Sequence, residues 1–105
     1  TKFRITILIS DSGRNNLIAS LITTRLAWID GSDIAQEGVF KDSDGNNLSY
    51  LNFNIGEPNG GGSENCLAIW EGGQSWADLG CERIEEYVCA KEGKQYLIIL
   101  SSFSW

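Results

Sequence analysis

Glu57-Pro58-Asn59-Gly60-Gly61-Gly62-Ser63-Glu64-Asn65-Cys66, followed after an apolar run by Trp76-Ala77-Asp78, sets Glu57, Asn59, Glu64 and Asp78 in a stretch with no lysine or arginine. Carboxylates crowded without cations repel one another unless something positive lies between them. A hard divalent cation suits such a set, because Ca²⁺ takes ~6–8 oxygen ligands at ~2.3–2.6 Å from acids, amides and carbonyls. The Asn59 amide gives a metal an oxygen and still offers N–H donors to a ligand. Pro58 adds to this, since an X-Pro bond can be cis, and a cis bond in a tight turn would throw Glu57 and Asn59 to the same side. The competing reading is an ordinary polar loop whose acids, asparagines and glycines are simply solvated. Short motifs match by chance often enough to keep both open.

Outward from this stretch, Cys66 to Trp70 and Gln74 to Trp76 read as neighbouring strands joined at Glu71-Gly72-Gly73, with Trp70 and Trp76 as core or groove-wall aromatics. Tyr87 to Lys91 reads as a further strand. Upstream, Phe3, Ile5, Ile7 and Ile9 alternate with Arg4, Thr6, Leu8 and Ser10, the period of a half-buried strand. Asp11-Ser12-Gly13 reads as a turn with a helix N-cap. Leu17, Ile18, Leu21 and Ile22 then form one helical face, with Arg14, Asn15, Ser20 and Thr24 turned away. Ala27 to Ile29 reads as a short buried strand. Asp42-Ser43-Asp44-Gly45-Asn46-Asn47 has the look of a helix-loop-helix calcium loop, but its twelfth position is Phe53 where a bidentate glutamate is needed, so it reads as a turn. Asn47-Leu48-Ser49 is a glycosylation sequon. Tyr96-Leu97-Ile98-Ile99-Leu100 is too short to span a membrane, which takes ~20 apolar residues. An added strand pairing with residues 3 to 9 is the expectation for it, ahead of an aggregating edge or a readthrough end.

The chain has 105 residues, a net charge of −6, no histidine and three cysteines. That is one small domain with a modest core. The acidic balance argues against nucleic-acid backbones and anionic lipid as partners. Absent histidine removes the usual proton shuttle, so no nucleophile–base pair is visible and an enzyme is not expected. The carboxylates alone could serve glycoside hydrolysis, but here they group as metal ligands. Three cysteines in a small Gly-rich domain suggest an oxidising compartment, against the alternative of three buried, reduced thiols. Thr1 opens the chain without a signal-like start, which reads as a fragment or processed product.

Residues 27 to 91 resemble the second half of a C-type lectin domain. Ala27-Trp28-Ile29-Asp30-Gly31 is similar to the family's Trp-Ile-Gly strand. Glu37-Gly38-Val39-Phe40, Asp44-Gly45 and Leu48-Ser49-Tyr50-Leu51-Asn52-Phe53 resemble its run into a long loop. Glu57-Pro58-Asn59 matches the mannose-type triplet, and Glu64-Asn65-Cys66 the next acidic ligand with its cysteine. Trp76-Ala77-Asp78 resembles Trp-Asn-Asp, and Cys81 with Tyr87-Val88-Cys89 closes the pattern. Ala77 departs from the family at an asparagine that ligates calcium and donates to a sugar hydroxyl. Phe53 stands for a tryptophan and keeps most of its aromatic area.

The resemblance implies an α+β, C-type lectin-like fold of small antiparallel sheets, with one remaining helix and a long ligand-binding loop. Residues 1–94 would be that domain lacking its first strand and first helix, and 95–105 an apolar C-terminal tail. It implies a Cys66–Cys81 disulfide, worth ~3 kcal/mol by loop closure, and leaves Cys89 free or cross-linked elsewhere. Asp33 and Glu37 resemble two ligands of an auxiliary calcium site whose companions are replaced by Gly60 and Asn65, so a solvated acidic turn is expected there. The implied function is calcium-dependent binding of glycans with vicinal equatorial hydroxyls, of mannose, N-acetylglucosamine or fucose type, in a secreted or extracellular protein. Glu57, Asn59, Glu64 and Asp78 would serve as both metal and carbohydrate ligands, and Ala77 would weaken the site. The alternative is a calcium-independent protein-interaction module on the same scaffold.

Overall fold

The computed structural model describes residues 7–22, 25–59, 61–70, 75–90 and 97–104, with the backbone alone for 84, 85, 87–90 and 97–104. The helix α1, Ser12–Leu21, starts where Asp11 adopts an extended backbone and its Oδ1 accepts the Arg14 N–H at 2.8 Å. That bond satisfies one of the donors every helix start leaves open. Extended backbone at Ile22 ends the helix.

Asn15, Ile18, Ala19 and Ile22 form the buried side of α1 and its C-cap, at the i, i+3, i+4, i+7 spacing of one helical stripe. Leu17 and Leu21 are exposed. The docking face is therefore turned from the expected Leu17/Ile18/Leu21/Ile22 set, and Asn15 lies inside it. The cause is a buried hydrogen bond from Trp76 Nε1 to Asn15 Oδ1, 2.7 Å long, which fixes the helix's rotation.

Five strands follow: β1 Leu26–Ser32, β2 Cys66–Trp70, β3 Trp76–Leu79, β4 Ile84–Ala90 and β5 Leu97–Ser104. They join in one sheet of order β3-β2-β1-β4-β5. The β1/β2, β2/β3 and β4/β5 pairs are antiparallel, while β1 and β4 run parallel. Strand β1 is longer than the Ala27–Ile29 expected, and β3 runs from Trp76 to Leu79 instead of ending at Trp76. Residues 71–74 of the expected hairpin turn lie outside the described residues.

Central position explains the burial of β1 on both sides. Ala27 and Ile29 enter a cluster with Ile18, Ala19 and Ile22 of the helix region, plus Ile7, Ile9, Phe40, Leu67, Ile69 and Trp76. Leu26 and Trp28 enter the opposite cluster with Cys66, Ala68, Ala77 and Leu79. The two sets alternate along the strand, as a pleated backbone requires. Gly31 ends the buried run because a Cβ there would meet Leu67 Cδ1 at 2.5 Å and Leu48 Cδ1 at 3.0 Å.

Residues 7–10 keep the expected alternation, with Ile7 and Ile9 buried and Leu8 and Ser10 exposed, but they form no strand. The Asp30 N–H donates to the Ile7 carbonyl at 2.9 Å, and Ile7 and Ile9 pack in the helix-side cluster with β1 and β2. Residues 1–6 lie outside the described residues. The tail does add a strand, β5, and its described partner is β4 and not residues 7–9. Tyr96 and Trp105 lie outside the described residues. Among the described residues, no helix is long and apolar enough to cross a membrane.

Candidate functional site

Residues 33–65 connect β1 to β2 as a long loop, and Trp76 is what pins it. The Trp76 N–H donates to the Asn52 carbonyl and the Trp76 carbonyl accepts from the Asn54 N–H, both 2.9 Å. Phe53, between those residues, packs edge-on to the Trp76 ring at 6.1 Å and tilts against Phe40 at 5.2 Å. Tyr50 meets the same indole at 5.7 Å. Three residues after this clamp the loop reverses at Gly56, whose φ of +88° suits glycine, and the Glu57 N–H closes the turn onto the Asn54 carbonyl at 2.9 Å. Asp78, two residues beyond Trp76, is delivered to the same face of β3.

The Glu57–Pro58 bond is cis. On either side of it, Glu57 and Asn59 both meet Asp78. The Asn59 N–H donates to Asp78 Oδ1 at 3.0 Å. The Glu57 carboxyl stands close enough to Asp78 to share a hydrogen bond, and its pKa is raised to about 7. Loss of hydration is the largest cause, then the shared bond and the negative charge of Asp78; Glu64 adds to it, and the Asp78 backbone opposes it. Glu57 Oε1 is buried with no hydrogen-bond partner. Asp78 is 1% exposed, Glu64 is half-buried and Asn59 is exposed. The structure thus gathers Glu57, Asp78 and the Asn59 backbone, with Glu64 near enough to act on Glu57 by charge.

A second acidic group adjoins the first. Asp33 is 1% exposed, so the solvated turn expected around it is corrected: its N–H donates to the Asn65 carbonyl at 3.0 Å, and its Oδ2 accepts from Gly38 N–H at 2.8 Å. Asp33 Oδ1 and Asn65 Oδ1 are both buried without a partner. Exposed Glu37 has a raised pKa, from lost hydration first, then the charge of Asp33 and a bond to it, then the charge of Asp78. The four-residue spacing of Asp33 and Glu37 was the available signal. The resemblance marked Asn65 as a replaced companion of that site, but not its backbone bond to Asp33, which forms only through the closure of the long loop.

The donor chemistry fits a hard cation in part. Every candidate ligand atom is an oxygen, and Glu57 Oε1 is buried without a hydrogen-bond partner. Against this, no group of three or more His, Cys, Asp or Glu is assembled closely enough to hold a metal among the described residues. Amide oxygens of Asn59 and Asn65 would have to complete any such shell. Ala77 contributes none: it is buried, pairs with Ala68, and lies in the cluster of Leu26, Trp28 and Leu79.

The Cys66–Cys81 disulfide forms as expected, with Cα atoms 5.3 Å apart. It ties the start of β2, where the site loop ends, to the turn after β3. Cys89 lies on β4 by its backbone, and its side chain is outside the described residues. The Asp42 segment is the expected turn, with Gly45 N–H on the Asp42 carbonyl and both Asp44 and Asn46 N–H groups on Asp42 Oδ1. Trp76 is a core aromatic as expected, while half-buried Trp70 carries the Arg25 guanidinium 5.4 Å over its ring.

Residues 6–91 match the family model of the lectin C-type domain. The chain is 37% identical over 93 residues to a tetranectin-like protein of Carcharhinus perezii, covering 85% of this chain and 53% of that protein. It is 36% identical over 63 residues to the human C-type lectin domain family 3 member A, covering 59% of this chain and 32% of that protein. The chain therefore spans about half of the first relative and a third of the second. Among solved structures, the cow C-type carbohydrate-recognition domain of CD23, in the presence of GlcNAc2Man3 oligosaccharide, aligns with a TM-score of 0.63 at 31% identity, covering 70% of this chain and 57% of that one. The mouse scavenger receptor C-type lectin carbohydrate-recognition domain aligns at 0.68 and 24% identity, covering 74% and 64%, which speaks to the fold. With the long loop clamped on Trp76 and the acids gathered at Asp78, this match over most of its length makes the chain a member of the C-type lectin domain family.

Proposed function

We propose that the chain binds carbohydrate with the help of calcium, through Glu57, Asn59, Glu64 and Asp78. The observation that carries this reading is the buried, partnerless Glu57 Oε1 set against Asp78, with Glu64 nearby. An anion so placed is costly unless it is protonated or neutralised by a cation. Glu57, Glu64 and Asp78 would hold the ion, with the Asn59 amide oxygen beside them. When bound, calcium supplies positive charge and tolerant coordination to which sugar hydroxyls can add. Glu57 then accepts a hydrogen from one hydroxyl and Asn59 donates to its neighbour, charge-assisted bonds in the first case. Vicinal equatorial hydroxyls, as in mannose, N-acetylglucosamine or fucose, suit a Glu-Pro-Asn order. The cow relative solved in the presence of a mannose-containing oligosaccharide supports the substrate class.

Ala77 offers no oxygen, so calcium affinity falls in the weak, ~10⁻⁴–10⁻³ M extracellular class. Retention on mannose-agarose in millimolar calcium, released by chelator, tests the reading. No retention at saturating calcium would sink it. The same missing oxygen favours a second reading, a calcium-independent protein-interaction surface on this loop; protein binding that ignores chelator would support it. The Cys66–Cys81 bridge supports an oxidising, secreted or extracellular setting under either reading. Neither reading is enzymatic.

A further inference from the structure

We propose that Asn47 is a site of N-linked glycosylation. Asn47-Leu48-Ser49 is the one Asn-X-Ser/Thr triplet in the sequence, and the structure presents it in the form a glycan needs. The turn held by Asp42 Oδ1 ends at Asn46, and Asn47 then pairs across to Lys41 in an isolated bridge. The Leu48 N–H donates to the Phe40 carbonyl at 3.1 Å, and its side chain packs on the helix-side cluster. Asn47 and Ser49 are both exposed.

Along such an extended run successive side chains alternate, so the acceptor amide and the hydroxyl two residues on share the outward face while Leu48 turns in. A glycan on Asn47 therefore remains in water after folding, and Leu48 keeps its contact beside Gly31. None of the four candidate ligands lies in this segment. The inference needs passage through a secretory compartment, which the Cys66–Cys81 bridge independently favours.

The step is a glycosyl transfer without oxidation. Asn47 Nδ2 forms a bond to C1 of the reducing-end sugar of a polyprenyl-diphosphate-linked oligosaccharide. The C1–O bond to the diphosphate breaks, polyprenyl diphosphate leaves with the electron pair, and Nδ2 gives up one proton.

The test is translocation of the full chain, behind a cleavable secretory leader, into microsomes carrying the lipid-linked donor. The chain is expected to run as a heavier species that collapses on treatment with a peptide N-glycosidase, with Asn47 converted to aspartate. Asn47→Gln and Ser49→Ala should abolish the shift, and Ser49→Thr should keep it. Because the readout precedes secretion, a variant that folds poorly is still informative. A translocated wild-type chain at its bare polypeptide mass, or a glycan that persists in Asn47→Gln, would overturn the proposal.

Discussion

Asn15 and Trp76, 61 positions apart in sequence, are joined by a buried hydrogen bond of 2.7 Å from the indole N–H to the side-chain carbonyl. The same tryptophan fastens the site loop through its own backbone at Asn52 and Asn54. Helix, sheet and loop therefore converge on one residue. Asn15→Ala strands the indole N–H in the core and should cost ~1–3 kcal/mol, read by chemical denaturation. In a cycle with Trp76→Phe the two losses should be less than additive, since each removes the same bond.

Calcium should raise the thermal midpoint. A ligand that binds the folded chain alone stabilises it by about 1.4 kcal/mol at a tenfold excess over Kd. Glu57→Gln, which removes one charge from the cluster with Asp78 and Glu64, should raise the calcium-free midpoint and largely abolish the calcium response. A variant that is less stable without calcium would mean the carboxylate is satisfied as it stands.

The Glu57 carboxyl titrates at about 7 in the folded chain, above the 4.5 of an ordinary glutamate. The folded state thus holds more protons than the unfolded one between those values. Calcium-free stability should fall as pH rises from 4.5 through 7 and then level off. Calcium binding should run the other way, weakening on acidification below about 7 because proton and cation compete for the same oxygens. Unfolding midpoints measured across that range in chelator and in calcium check both slopes, and Glu57→Gln should flatten the first.

Reduction of Cys66–Cys81, or the double change to alanine, should cost ~3 kcal/mol by loop-closure entropy across its fifteen-residue separation. Denaturant midpoints with and without reductant give the number.

Gly31→Ala forces a methyl into Leu67 and Leu48. Overpacking of this kind costs ~1–3 kcal/mol. Leu67→Ala alone opens a cavity costing ~2–5 kcal/mol, and the double change should lose less than the sum of the two, measured by thermal unfolding.

What could be read from the chain itself was whatever is written locally. The Asp11 cap and the Asp42 turn announce themselves within a few residues and are found in place, while Glu57 and Asn59, far from Asp78 in sequence, are drawn to it by the loop. Asn15 reads as an outward residue because an asparagine in a helix carries no local sign of a partner on a distant strand. Asp33 reads as solvated for a related reason: the Asn65 carbonyl on its N–H is met only when the long loop closes, although Gly38 lies five residues on. The parallel pairing of β1 with β4 is likewise a long-range choice, whereas β5 takes the sequence-adjacent β4 as its partner. Periodicity marks which side chains turn inward, but it does not say which strand lies alongside.

The three-way attachment of Trp76 has an optical consequence. Its ring contacts Tyr50 and Phe53, its N–H is held by the helix, and its neighbour two residues on touches Glu57 and Asn59. Occupancy of the loop must pass through the surroundings of this indole, so the protein carries its own fluorophore at the junction. If calcium binds as proposed, the summed emission of the chain's four tryptophans should change without any added dye, and Trp76→Phe should remove that change.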